Sequence, residues 1–189
     1  MTNYQEYCIY LKGRSLKGRL YRNWWLYPRL VRHLSGRVLD VGCGIGDMLR
    51  FRPNTVGVDI NPETIAWCRK QGLDAHHMER NRLLFDAGTF DGVILDNVLE
   101  HIAAPQPLLA EAKRVLKPSG RLLAGVPGPK GYQSDPDHKV YYDEAGLIHL
   151  MQNNGFSCRM ILPMPLRLPR LSERIRQYCI YGVFDVHHG

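Results

Sequence analysis

A chain of 189 residues with 44% hydrophobic and 23% charged side chains can bury one core, which excludes a disordered tail as its default state. Its net charge of +7 is unevenly spread: Lys12, Arg14, Lys17, Arg19, Arg22, Arg29, Arg32 and Arg37 follow one another with no acid among them. Five scattered cysteines without a CxxC pair argue against a disulfide framework or a cysteine zinc site. No apolar run nears the ~20 residues that span a bilayer, and the first residues lack the apolar stretch of a leader, so a cytoplasmic, soluble protein is expected.

Tyr4 to Ser35 reads as helical segments joined near Gly13 and Gly18, with Pro28 opening or kinking the last. Residues 1–36 thus form an N-terminal helical cap. Its basic side chains alternate with Tyr21, Trp24, Trp25 and Tyr27. That mixture fits a solvated face packed on the domain, or a surface for phosphate, nucleic acid or an anionic membrane. From Arg37 the texture changes. Short β-type runs at 37–41, 55–58, 73–78, 90–95 and 121–126 are separated by loops or helical patterns. Pro62 opens a helix to about Gln71, capped by Asn61, and Pro107 opens another to about Leu116, stopped by Lys117-Pro-Ser-Gly120. A helix at 143–153, a strand at 156–162, a proline-rich link and an aromatic strand at 178–186 complete the chain. Strands alternating with helices give an α/β fold, Rossmann-like and doubly wound, with a mostly parallel sheet and helices on both faces. Residues 37–189 form this core, and no domain boundary is visible.

The most informative stretch is Val38-Leu-Asp-Val-Gly-Cys-Gly-Ile-Gly46. A buried strand delivers Asp40 into a tight loop where Gly42, Gly44 and Gly46 permit positive φ and close approach of a ligand. Asp59 closes the second strand, placed to accept two ribose hydroxyls, with Ile60 beside it for an adenine face. A dinucleotide loop of GxGxxG form would need glycine where Asp47 stands. The pattern is GxGxG, which suits a ligand without a pyrophosphate.

These residues resemble the class I S-adenosylmethionine-dependent methyltransferases, in particular the type 11 group. The likeness runs from about Arg37 to Phe156. It is carried by Val38–Gly46, Val56-Gly-Val-Asp-Ile60, Leu83-Leu-Phe-Asp-Ala-Gly-Thr-Phe-Asp91, Val93-Ile-Leu-Asp-Asn-Val-Leu-Glu-His-Ile102 and Ala110 to Leu123. The resemblance implies a seven-stranded sheet with its last strand antiparallel. It also implies S-adenosylmethionine as methyl donor and S-adenosylhomocysteine as product. It assigns Asp40, Gly42, Cys43, Gly44 and Gly46 to the methionine end, Asp59 to the ribose, Ile60 to the adenine face and Glu79 to the adenine amino group. Asn97 would face the sulfonium and the acceptor. Gly128 to Lys139 resembles a bacterial subset found beside surface-polysaccharide genes, which suggests a saccharide or lipid-linked acceptor.

A sulfonium methyl needs an aligned acceptor lone pair, and a hydroxyl acceptor must also lose a proton. Imidazole, ordinarily titrating at about 6.5, suits that task. His138, in the Ser134-Asp-Pro-Asp-His138 run, and His101, just past Asn97, are the candidate bases, with closure of the pocket an alternative role for the loop. The pairs His76-His77 and His187-His188 point to opposite faces of a strand, so no metal site is expected. The expected activity is methyl transfer to oxygen or nitrogen of a small molecule or glycan. Two alternatives stand beside it: a binding module that has lost catalysis, and a nucleic-acid methyltransferase. The second is disfavoured because Asp96-Asn97-Val98-Leu99 replaces an Asn/Asp-Pro-Pro-Tyr/Phe motif.

Overall fold

The computed structural model describes residues 3–13, 15–167 and 174–187, so Arg14 and His188 of the sequence reading lie outside the described residues. Helix α1 (Tyr4–Lys12) starts at Asn3, whose side chain accepts the amides of Gln5 and Glu6. Helix α2 (Leu16–Tyr21) starts at Ser15, whose hydroxyl accepts the Gly18 amide. Gly18 therefore lies within the first turn of α2 and not at a joint; the break falls at Gly13, after α1. A π-helical turn at Arg22–Leu26 leads into α3 (Tyr27–Val31), with Pro28 in the first turn, where a missing N–H costs least.

Seven strands form one sheet: β1 (Val38–Val41), β2 (Thr55–Asp59), β3 (Ala75–His77), β4 (Phe90–Asp96), β5 (Leu116–Pro127), β6 (Phe156–Met164) and β7 (Cys179–Val186). Their order is β3-β2-β1-β4-β5-β7-β6. All neighbours among the first five are parallel, whereas β7 runs antiparallel to both β5 and β6. The sheet is therefore mixed, with one reversed strand. Strand order reverses between β1 and β4, and the glycine loop leaves β1 at that point.

Helices α4 (Asp47–Phe51), α5 (Pro62–Lys70), α6 (Gln106–Val115), α7 (Pro129–Gln133) and α8 (Glu144–Asn153) complete the helical set. The five-residue α4 and α7 are too short to carry a readable period, which is why the sequence leaves them as loops. Strand β5 starts five residues earlier than expected, because Leu116 pairs with Phe90 and the Lys117–Gly120 turn is carried as an irregularity before Arg121 pairs with Gly92.

Alternate residues of the central strands feed two cores. Leu39, Val93, Leu95, Leu122, Ala124 and Phe184 pack with Leu108, Leu109, Ala112 and Val115 of α6 and Leu147 and Met151 of α8. On the other face Val38, Ile94, Leu123, Tyr181 and Val183 pack with Tyr27 and Leu30 of α3 and Met48 of α4. Central strands of a parallel sheet are covered on both faces, and β1 is buried throughout and β4 over most of its length.

Candidate functional site

The loop between β1 and α4 turns on three glycines, Gly42, Gly44 and Gly46, at φ of +76°, +53° and +79°. Sequence and geometry agree on why they are glycine. A Cβ at Gly42 would stand 2.7 Å from Val98, and one at Gly46 would stand 2.5 Å from Leu73. The loop holds itself together. The Gly42 and Cys43 amides both donate to the Val58 carbonyl, the Gly46 amide to the Cys43 carbonyl, and the Gly44 amide to Asp59 Oδ2 at 2.8 Å. Arg50 clamps the far side through the Ile45 carbonyl. Four loop amides are thus already spent inside the protein, and the glycines serve close approach more than hydrogen-bond donation.

Asp59 sits at the end of β2, 7% exposed. Its second oxygen accepts the Asn61 amide at 2.8 Å. Each oxygen keeps a further lone pair, so the carboxylate can take two hydroxyls without giving up the loop. Burial raises its pKa, and the Asn61 and Gly44 amides oppose that rise. Ile60, next along, is 40% exposed, an apolar side chain left open at the edge of the site. His77 of β3 bonds the Ile60 carbonyl from beneath.

Asp40 lies on β1 below the loop, 4% exposed. Its pKa stands well above the carboxylate range because of burial first, then the charges of Asp96 and Asp59. A buried acid in that state is prepared for a cation, and the ammonium of an amino-acid ligand is one.

Two expected residues are placed differently. Glu79 pairs loosely with Arg82 at 4.0 Å with its side chain 71% exposed, on a turn where Asn81 takes positive φ. That turn carries its carboxylate into solvent. The Cys43 thiol packs inward on Gly57 and Leu49, so any contact it makes with a ligand is through the backbone.

Beyond β4 the chain turns through Asn97, which adopts φ +57°, a conformation Asn tolerates better than most. Its side-chain amide donates to Asp96 at 2.8 Å. Tyr181 donates to the same Asp96 oxygen, and Arg22 reaches the other at 3.5 Å while bonding the Tyr27 hydroxyl. This network of Arg22, Tyr27, Asp96 and Tyr181 was not legible in the sequence, since its members come from β4, β7 and the N-terminal helices.

A short 3₁₀ turn, Leu99–His101, follows and presents Glu100 and His101. The loop after β5 brings His138 against them, with ring centroids of His101 and His138 4.6 Å apart. His138 Nδ1 is 2.7 Å from the Tyr132 carbonyl, so it donates there and Nε2 is the ring nitrogen left to face the cluster. That Nε2 lies 3.9 Å from Glu100 and 3.9 Å from Asp135. Burial, then the neighbouring His138, lowers the pKa of His101 and favours its neutral form. Burial pushes Glu100 up to about 8. The structure therefore brings the two expected histidines together and adds Glu100, which lay in plain view in the Leu99-Glu-His101 run.

Helix α1 lies over one side of the site. Cys8 and Leu11 pack on Ile45 of the glycine loop, with Trp67 of α5 beside them. Asn61 donates to the Tyr4 carbonyl, and Lys12 sits 4.0 Å over the Trp67 ring.

The comparisons with known proteins agree with this geometry. A family model described as a methyltransferase domain, type 11, matches residues 39–124. An uncharacterized protein of Methanocaldococcus jannaschii is 30% identical over 139 residues, 67% of this chain and 68% of that one. A relative from Mycolicibacterium smegmatis, named as an S-adenosylmethionine-dependent methyltransferase, is 27% identical over 76% of this chain and 63% of its own. A ubiquinone biosynthesis O-methyltransferase of Xanthomonas oryzae is 33% identical over 47% of this chain, which spans only 42% of that relative. Among solved structures, a chain in the complex of the Haloferax volcanii Trm112 methyltransferase activator with a methyltransferase superposes with a TM-score of 0.75 at 17% identity, over 98% of both chains. That last likeness is one of fold.

Proposed function

We propose, since the chain belongs to the type 11 class I methyltransferases and takes S-adenosylmethionine as its methyl donor, that it methylates a hydroxyl oxygen of a small, lipid-linked acceptor. The observation that carries the choice of oxygen is the Glu100–His101–His138 cluster just past Asn97. A hydroxyl is nucleophilic enough only once its proton is withdrawn, and the cluster offers an imidazole nitrogen, His138 Nε2, held ready by its partner nitrogen. An amine in its neutral form already carries a nucleophilic lone pair, so a proton acceptor matters most for a hydroxyl. The likeness to an O-methyltransferase of ubiquinone biosynthesis supports the same reading.

In this reading Gly42, Gly44 and Gly46 admit the methionine end, Asp40 meets its ammonium, Asp59 the ribose hydroxyls and Ile60 the adenine. Asn97 sits at the reacting methyl, and Arg22, Tyr27 and Tyr181 hold Asp96 and, through it, the Asn97 amide.

A lipid-linked acceptor is supported by the outer face of the cap. Leu16, Leu20 and Trp24 form a stripe at four-residue spacing and are 67%, 49% and 78% exposed. Lys17 and Arg19 flank it, and no acid occurs between Lys12 and Arg37. Apolar side chains framed by cations suit an anionic lipid surface. No helix among the described residues is long and apolar enough to cross a membrane.

The test is transfer of labelled methyl from S-adenosylmethionine to a panel of phenolic quinone precursors, lipid-linked sugars, amines and RNA. Product on a hydroxyl, with a drop of about 10²–10⁴-fold in kcat for His138→Ala, supports the reading. Product on nitrogen or RNA refutes the choice of acceptor.

A further inference from the structure

We infer that Glu100, His101 and His138 form a binding site for one divalent transition-metal cation of the zinc type, open to the acceptor. Their ligand atoms all lie within 4.8 Å of one another. Cation bonds of about 2.0–2.2 Å set ligand atoms roughly 3–3.5 Å apart, so the cluster closes on an ion by side-chain shifts of about an ångström or less.

Three observations point to a ligand there. First, Glu100 is 1% exposed, and neither carboxylate oxygen finds a hydrogen-bond partner on another described residue. A buried carboxyl left so costs free energy that a cation would return. Second, each histidine has one ring nitrogen engaged by backbone. His138 Nδ1 donates to the Tyr132 carbonyl, and His101 is hydrogen-bonded to the backbone of Asp137. Metal-ligating histidines are oriented in this way, with the other nitrogen turned to the ion. Third, the shell around the cluster is built. The Lys139 and Val140 amides both donate to the Glu100 carbonyl, tying the loop after β5 to the 3₁₀ turn, and Tyr132 stacks on His138 at 5.3 Å.

Two imidazoles and one carboxylate are the donor set of catalytic zinc and related ions, and three protein ligands leave coordination positions open. This extends the proposed function and rests on it for what the cation does; binding of the cation itself does not. The acceptor hydroxyl would take an open position. Its O–H bond breaks, and the proton leaves to Asp135 or water. The oxygen lone pair forms the new O–CH₃ bond while the S–CH₃ electron pair stays on sulfur, giving a neutral thioether. His138 would then serve as a ligand, and the cation would take over from it the work of promoting proton loss.

The experiment is titration of the full chain with Co²⁺, followed by its visible ligand-field absorption, with Zn²⁺ competition. Calorimetric titration of S-adenosylhomocysteine runs in parallel on every variant. One equivalent of cobalt, displaced by zinc and bound at least tenfold more weakly in both Glu100→Gln and His138→Ala, is the expected result. Glu100→Gln removes a buried acid and keeps its shape, so it guards against a result caused by unfolding. No saturable absorption, equal affinity in the variants, or an added sulfur-to-cobalt charge-transfer band overturns the site. Failure of the wild type to bind S-adenosylhomocysteine would sink the methyltransferase reading instead, and the cobalt result would stand on its own.

Discussion

Asp59 holds two structures at once, the glycine loop through Gly44 and the entry to α5 through Asn61. Asp59→Ala is expected to weaken S-adenosylhomocysteine binding by roughly 10–100-fold, the worth of one or two charge-assisted hydrogen bonds, as read by calorimetry. Unchanged affinity would remove Asp59 from the site. Asp40 makes a different prediction. Its pKa is raised by burial, then by Asp96 and Asp59, whereas an unfolded aspartate titrates at about 3.9. The folded protein therefore keeps a proton that the unfolded chain has lost. Stability from this group is complete below the unfolded value and is lost as pH rises through the folded one. Without ligand, Asp40→Asn should melt higher than wild type at pH 7.5 and show less advantage at pH 5, yet bind S-adenosylmethionine more weakly. Melting curves at the two pH values decide it, and an advantage that does not grow with pH refutes it. Asp40 and Asp59 were legible because a ligand that meets backbone demands fixed residue types at fixed spacing. The roles of Glu100 and Arg22 were not, because burial singles out the first and a partner on a distant strand the second, and both are properties of packing.

At the scale of elements, the loop after β1 is the least tolerant part of the fold. Gly46→Ala puts a side chain at φ +79°, which costs about 1–2 kcal/mol for an L residue, and drives it into Leu73 and Cys68. A loss of roughly 2–4 kcal/mol in urea unfolding is expected for strain and clash together, and a loss under 1 would show that the loop yields. The position of α1 could not be read from sequence, because its buried side consists only of Cys8 and Leu11. Leu11→Ala should release it. Alkylation of Cys8, followed by mass spectrometry, is expected to quicken at least tenfold while the melting temperature moves little, because α1 lies outside both sheet cores. The two proline-opened helices, by contrast, were placed to within a residue or so, because Asn61, Pro62 and the α6 apolar period are local signals.

For the molecule as a whole, the alternation of strand and helix was enough to give the fold class, whereas the reversal of β7 came from resemblance, since nothing local in Cys179–Val186 marks direction, and the strand order was not legible at all. The charge pattern has a consequence at this scale. The Leu16–Leu20–Trp24 stripe and its flanking cations should carry the protein onto vesicles containing phosphatidylglycerol and not onto pure phosphatidylcholine. Binding should fall with added salt, as screening requires. Leu20→Glu combined with Trp24→Ala should reduce cosedimentation about tenfold or more while leaving S-adenosylhomocysteine binding intact. Equal binding to both vesicle types would leave the stripe without a lipid partner.

The glycine loop is wired by its own amides before any ligand arrives. A site that needs no assembly holds whatever fits its shape, and donor and spent cofactor differ by one methyl and one positive charge. The loop cannot tell them apart. In that reading the spent cofactor competes with fresh donor for the same preformed loop.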